Sequence, residues 1–390
     1  MKNPNRRIFL KSSALAALPA FISTQGFSKT EQEEAGKKPA MPSIKFSGDG
    51  RSFEPLEYLE ELKNVNVTSP LTSDFYGKGG AVEALEKRFA ELTGKESAIF
   101  MPTGTMANQF AIAVLSREKT KVYVQDTSHL YRDEADAAQS VFNKRLMPLA
   151  KGETYFTALQ LKDAIEELPS TEVFQSGVGA ISIENPVRRS FGATVPLEEI
   201  KKICSYCKAN SIGTHLDGAR IFLASAWTGV SVKEYSSFFD TVYVSLYKYL
   251  GASAGAILCG DKSVIDKMPN LIKIHGGNMH GSWSNAAMAL HRLEGIEKRY
   301  ADMVVRADEL IAGINKIQGV RITGVKEGTN IYKLALAKSI DSNKMRDTLS
   351  TEFGITVRPQ NDANEVFLMM NETILYQTAA YILNAFAKSI

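Results

Sequence analysis

The stretch T-V-Y-V-S-L-Y-K-Y-L-G (241–251) runs from β-branched and aromatic residues straight into a lysine, Lys248. Such a run reads as a strand, which puts the lysine at its carboxyl end. About 31 residues earlier, H-L-D-G-A-R (215–220) follows the apolar step Ile212 to Leu216 and places Asp217 at the end of a second strand. In an open α/β fold the carboxyl ends of parallel strands lie along one edge, and ligands bind there. Taken singly, a surface lysine and a helix-capping aspartate are common at such positions. Taken together they suit pyridoxal phosphate, which needs an amine to form a Schiff base and a carboxylate to keep its pyridine nitrogen protonated.

A phosphate needs a third element. M-P-T-G-T-M-A-N (101–108) follows the apolar stretch Ser97 to Met101 and leads into Q-F-A-I-A-V-L, which reads as a helix. A Gly/Thr turn opening a helix exposes backbone N–H groups and the positive end of the helix dipole, a ready anion site. Around these segments, strand-like stretches at 97–101, 121–125, 178–184, 212–216, 241–246 and 255–259 alternate with helical patterns at 105–116, 158–168, 196–209 and 263–269. That alternation predicts an α/β fold, a mainly parallel sheet with helices on both faces. The large domain is expected over 60–295. A long helical stretch from Asn285 to Ile317 then leads into a smaller α/β domain over 296–390, with strands near 319–324, 330–336 and 365–370.

Five segments come in order along the chain: D-F-Y-G-K-G-G-A-V-E-A-L-E-K-R-F-A-E-L-T-G-K (74–95), P-T-G-T-M-A-N (102–108), S-H-L (128–130), D-G-A-R (217–220), and S-L-Y-K-Y-L-G-A (245–252) with G-A-I-L-C-G (255–260). From Asn64 to about Met303 they make the chain resemble the threonine aldolase and β-eliminating lyase group of fold-type-I pyridoxal-phosphate enzymes. The resemblance implies a large domain built on a seven-stranded sheet and a role for each matched residue. Lys248 is implied as the Schiff-base lysine, Asp217 as the pyridinium partner and His129 as the histidine stacked on the cofactor ring. Gly104 and Thr105 are implied phosphate ligands, Asn185 a further cofactor contact, and Arg220 the clamp for the substrate carboxylate.

Departures from the family pattern bear on the substrate. Threonine aldolases usually read E-N-T-H where this chain has E-N-P-V-R-R (184–189), so Val187 stands in place of the histidine that contacts the substrate hydroxyl. Tyr247 and Tyr249 flank the lysine where serine and glycine are common, and with Tyr76 they suggest either a bulky substituent or packing around the cofactor. The loop H-G-G-N-M-H (275–280) is like the family's glycine-rich loop reaching a neighbouring subunit, with His280 where an arginine is common. This implies a homodimer or homotetramer with its active site at the subunit interface. V-F-L-M-M-N-E-T (366–373) carries no arginine where the family has its second carboxylate ligand. Arg188, Arg189 or Arg358 is then a substitute, or the substrate lacks a free α-carboxylate.

The amino terminus has its own pattern. N-R-R-I-F-L-K (5–11) precedes a short alanine- and leucine-rich stretch, which predicts a twin-arginine export signal over 1–28 and a periplasmic protein. Residues 29–40 read as a charged linker, within a linker and N-terminal segment over 29–59. Removing Lys2, Arg6, Arg7 and Lys11 takes the formal net charge of the 390-residue chain from +3 to −1, which leaves no electrostatic case for nucleic acid. No long apolar run follows the signal, so no membrane span is expected. Cys204, Cys207 and Cys259 form no disulfide framework, and the five histidines show no metal-ligand spacing, so no structural zinc is expected. His215, two residues before Asp217, is either its supporting partner or a buried structural histidine.

The chemistry implied is bond cleavage at Cα or Cβ of an amino acid. In retro-aldol cleavage Lys248 releases the cofactor to the substrate amine, Arg220 holds the carboxylate, and a base takes the β-hydroxyl proton to give glycine and an aldehyde. With Val187 in the usual histidine position, the base is His129 or a held water. Two alternatives stay open: β-elimination to ammonia and a keto acid, with Lys248 as the base, and a non-catalytic pyridoxal-binding protein.

Overall fold

Continuous apolar runs form the centre of a seven-stranded sheet. The computed structural model describes residues 43–361 and 365–390; the stretches expected to be an export signal (1–28) and a charged linker (29–40) lie outside the described residues. The strands are β1 (Ile44–Lys45), β2 (Ser97–Met101), β3 (Lys121–Gln125), β4 (Arg145–Leu149), β5 (Val178–Glu184), β6 (Gly213–Asp217), β7 (Thr241–Ser245), β8 (Ala256–Gly260), β9 (Val320–Gly324), β10 (Ile331–Leu336), β11 (Ile355–Thr356) and β12 (Val366–Met369). The large sheet has the order β2-β8-β7-β6-β5-β3-β4. Only β8 runs antiparallel to its two neighbours within it.

β3, β5, β7 and β8 are buried at every position, as strands covered by helices on both faces must be. Alternate residues of β8 separate the two cores: Ile257 and Cys259 pack in the cluster with Phe89, Ala256 and Leu258 in the one with Phe110. Phe89 comes from the helix Gly80–Thr93 and Phe110 from the helix Gly104–Ser116. The last turn of the second helix lies close on the sheet, because a Cβ on Gly179 or Gly213 would come within 2.6 Å of Ser116 or 2.8 Å of Leu115. This packing fixes the amino end of the same helix at the carboxyl edge of the sheet.

The C-terminal part adds the antiparallel order β12-β10-β9; the helix Ile296–Ile314 packs on β9, and the helix Ala379–Ser389 packs on that helix. The amino-terminal segment joins it: β1 pairs in parallel with β11, and Asn371 Nδ2 donates to the carbonyl of Lys45 at 2.8 Å.

Three expectations change in detail. The helical stretch 285–317 is two helices, Trp283–Leu293 and Ile296–Ile314, parted at Gly295, whose φ of 63° is left-handed. The pattern at 263–269 splits into Lys262–Ile265 and Met268–Ile274. β4 was not expected; it is an edge strand paired only with β3, where Pro148 is tolerated. Cys204 and Cys207 are buried in the helix Leu197–Ala209, and burial pushes the Cys207 and Cys259 thiols up to about 12, as suits inert packing.

Candidate active site

The carboxyl ends of four strands line one cavity of about 310 Å³, and that of β5 lies beside it through Glu184. Asp217 is the last residue of β6 and Glu184 the last of β5; Gly104, His129 and Lys248 follow β2, β3 and β7 within a few residues. Gly104, Thr105, His129, Asp217 and Lys248 all line the cavity, together with Glu134, Tyr243 and Tyr247. Five residues spread over 145 positions of sequence are thus brought together.

At one end the helix Gly104–Ser116 begins. Thr103 Oγ1 accepts from Met106 N at 3.2 Å, so the N–H groups of Gly104 and Thr105 are left facing the cavity without a partner among the described residues. A Cβ on Gly104 would stand 2.1 Å from the Tyr243 hydroxyl, so only glycine opens this cradle.

At the other end Asp217 is held by two donors, Asn108 Nδ2 at 3.0 Å and Ala219 N at 3.1 Å. Asn108 gives its second Nδ2 proton to Glu134 Oε1 at 2.8 Å, and its Oδ1 faces His215 Nε2 at 2.9 Å. Since that amide oxygen can only accept, His215 carries its proton on Nε2, and Nδ1 accepts from Thr241 Oγ1 at 2.8 Å. Burial lowers His215 to about 4, so the ring is neutral. His215 therefore bears on Asp217 through Asn108 and is itself wholly buried, so both readings of that histidine fit the structure.

Glu134 was missed in the sequence. It lies five residues after His129, accepts from His129 Nδ1 at 3.0 Å, and its buried Oε2 has no partner among the described residues. Burial raises Glu134, and its hydrogen bond to His129 raises the imidazole. Glu184, wholly buried, accepts from the backbone N–H groups of His129 and Arg188; burial, then the nearby Asp217, push it up to about 7. Donor atoms of His129, Glu134 and Asp217 lie within 4.8 Å of one another. No metal spacing signals this trio, and its hydrogen bonds tie it to the ring end of the cavity.

Lys248 faces Asp217 across the cavity with no hydrogen bond of its own among the described residues. Burial, then the Arg220 guanidinium, lower its amine to about 8. Arg220 Nε donates to Asp49 Oδ1 at 2.8 Å. The parts pyridoxal phosphate requires are therefore present: an amine of depressed pKa, a carboxylate held by two donors, and helix N–H groups for an anion.

The family model described as beta-eliminating lyase matches residues 62–337. The chain belongs to the beta-eliminating lyase family. It is 28% identical to the low-specificity L-threonine aldolase of Candida albicans over 282 residues, 72% of this chain and 74% of that one. It is 25% identical to low-specificity L-threonine aldolase 1 of Arabidopsis thaliana over 88% of this chain and 96% of that one. Among solved structures, a Listeria monocytogenes protein described as a candidate L-allo-threonine aldolase superposes with a TM-score of 0.73 at 25% identity, covering 90% of this chain and 97% of that one. As a beta-eliminating lyase family member the protein is an enzyme, a lyase of the pyridoxal fold type I.

Six residues expected at the site are not among those that line the cavity: Asn185, Arg188, Arg189, Arg220, Tyr76 and Arg358. Asn185 is wholly buried, and its Oδ1 accepts from Val195 N at 2.8 Å. Arg188 and Arg189 both pair with Asp133, and the two guanidinium groups hold its carboxyl down to about 2. Tyr76 packs edge-on against His280 and Phe75 in an exposed patch. Arg358 is exposed. Of the flanking tyrosines only Tyr247 lines the cavity; Tyr249 is buried between Phe222 and Tyr300 as core.

Proposed function

We propose that the protein binds pyridoxal phosphate on Lys248, Asp217, Gly104 and Thr105 and cleaves a β-hydroxy-α-amino acid to glycine and an aldehyde. The observation that carries the reading is the half-buried Lys248 amine, without a hydrogen bond among the described residues, in one cavity with Asp217 and a helix N-terminus. The L-threonine aldolases among its relatives support the same reaction. The bound cofactor would supply an electron sink for the bond broken at Cα. Asp217 keeps a proton on the ring nitrogen, and the Gly104 and Thr105 N–H groups anchor the phosphate. Arg220 would hold the substrate carboxylate and so orient the substrate.

Val187 is buried, with its N–H on Ala193 O, so it offers no base. His129 does: its Nδ1–H donates to Glu134, which leaves Nε2 to take the β-hydroxyl proton. β-Elimination is the second reading, favoured by the same absence at Val187, with Lys248 removing the Cα proton. We also propose that the site is completed in a dimer or dimer of dimers, and that the chain is exported folded to the periplasm; a full-length chain in the cytosol of its native cell would contradict the export.

The deciding experiment is an absorbance spectrum of wild type and Lys248→Ala after incubation with pyridoxal phosphate, followed by L-threonine, L-phenylserine and L-serine. A lysine-dependent visible band with aldehyde release is expected. Ammonia and a keto acid would establish elimination, and a band without turnover a binding protein.

A further inference from the structure

We propose that Asp49 is a positioning residue: it holds the Nε edge of the Arg220 guanidinium, so that the two terminal nitrogens are presented end-on to the carboxylate of the substrate. The inference rests on the amino-acid reading of the site given above.

Arg220 carries five N–H donors in a rigid fork. Nε donates to Asp49 Oδ1 at 2.8 Å, and Arg220 makes no other side-chain hydrogen bond among the described residues. The pair is nearly buried, with side chains 13% and 10% exposed. Four donors therefore remain on a largely sequestered guanidinium that, like Asp49, acts on the Lys248 amine. A guanidinium so placed, with one donor paired, suits an anionic partner. A guanidinium can grip a carboxylate by its Nε side or by its terminal end. With Nε engaged, the terminal end is the edge left.

Asp49 is held in place independently of Arg220. Asn371 Nδ2 donates to the carbonyls of Ser47 and Gly48, both at 3.2 Å, and Arg51 N donates to Glu372 Oε1 at 3.1 Å. Glu372 is itself gripped by Arg292 and by Arg299 Nε at 3.0 Å. Gly50 presses the segment onto the backbone just after Lys248, since a Cβ there would lie 2.8 Å from Tyr249 Cα. The amino-terminal segment thus presents a carboxylate to Arg220 at a fixed position. A carboxylate paired with the terminal nitrogens would compete with substrate; one on Nε alone aims them.

The test titrates the cofactor-loaded enzyme with glycine and with 2-aminoethanol, an amine without the carboxylate, following the cofactor band. Asp49→Ala and Asp49→Asn should weaken glycine roughly tenfold or more, the size of one charge-assisted hydrogen bond, and leave the response to 2-aminoethanol unchanged. Asp49→Glu should recover part of the loss, and KM for a β-hydroxy amino acid should rise more than kcat falls. Glycine binding that is unchanged or tighter in Asp49→Ala overturns the proposal, as does an equal loss for both amines. A wild-type enzyme whose band ignores glycine altogether overturns the amino-acid reading itself, and this inference with it.

Discussion

Lys248 lies in the cavity beside a guanidinium, and desolvation together with that neighbour brings its amine to about 8. The neutral amine is the nucleophile, so capture of pyridoxal phosphate by the cofactor-free protein should quicken as pH rises through about 8 and level off above it. Arg220→Gln removes a positive charge and should move that midpoint upward. Stopped-flow absorbance across pH 6 to 10.5 checks both, and a midpoint near the ordinary lysine value of ~10.4 in wild type would contradict the first. Asn108 is the second residue with a sharp expectation, because one side chain serves Asp217, Glu134 and His215. Asn108→Ala strands three buried groups and should cost about 2–3 kcal/mol of stability, read by denaturant melts, and loosen the cofactor as well. Lys248 and Asp217 were legible in the sequence because a strand end is a local signal. Asp49 was not: its partner Arg220 lies 171 residues away, and nothing local marks the pairing.

Elements with continuous apolar runs were legible for the same local reason, and β2, β3 and β5 match their expected bounds. The misses follow from competing local signals: Pro148 hid an edge strand, and Gly295 parted a stretch whose apolar period runs through it. The helix Gly104–Ser116 shows how one element serves both structure and site. Its last turn is seated on the sheet by Gly179 and Gly213, while its first turn faces the cavity. Gly104→Ala would drive a methyl group to 2.1 Å from the Tyr243 hydroxyl, so the first turn or the tyrosine must move. Cofactor affinity should fall roughly tenfold or more, since the phosphate contacts depend on two N–H groups of that turn. Gly229→Ala is the control: its φ of 75° is left-handed but its surroundings are open. It should cost about 1 kcal/mol, seen in the melting temperature, and leave the affinity for pyridoxal phosphate alone. Equal loss of affinity in both variants would mean that the first turn is not the phosphate anchor.

At the scale of the whole molecule, two distant loops form one apolar lip. Asp74 accepts from Gly77 N at 2.9 Å and from Ser282 N at 2.7 Å, and Tyr76 N donates to His280 O, which ties residues 74–77 to 280–282. On that lip Phe75 is 65% exposed, Met279 54%, Tyr76 43% and Trp283 37%, and Ile274 adds to it nearby. Water is a poor solvent for so many adjoining large side chains, and a patch of this kind suits the subunit contact proposed above. Tyr76 also fails to line the cavity of its own protomer, as expected of a residue that serves a second one. Each large side chain covered is worth roughly 1.5–3 kcal/mol, so a pair of charges at the centre should be enough to part the subunits. Wild type should sediment as a dimer or larger, and Phe75→Asp with Met279→Asp should sediment as a monomer. If the site is shared, the monomer keeps the Lys248-dependent cofactor band, because Lys248, Asp217 and the helix N-terminus all come from one chain, and loses at least about tenfold in turnover through the missing partner loop. Sedimentation velocity and turnover on the same samples separate the cases: a monomer with undiminished turnover would show that each protomer holds a complete site and that the lip serves some other contact.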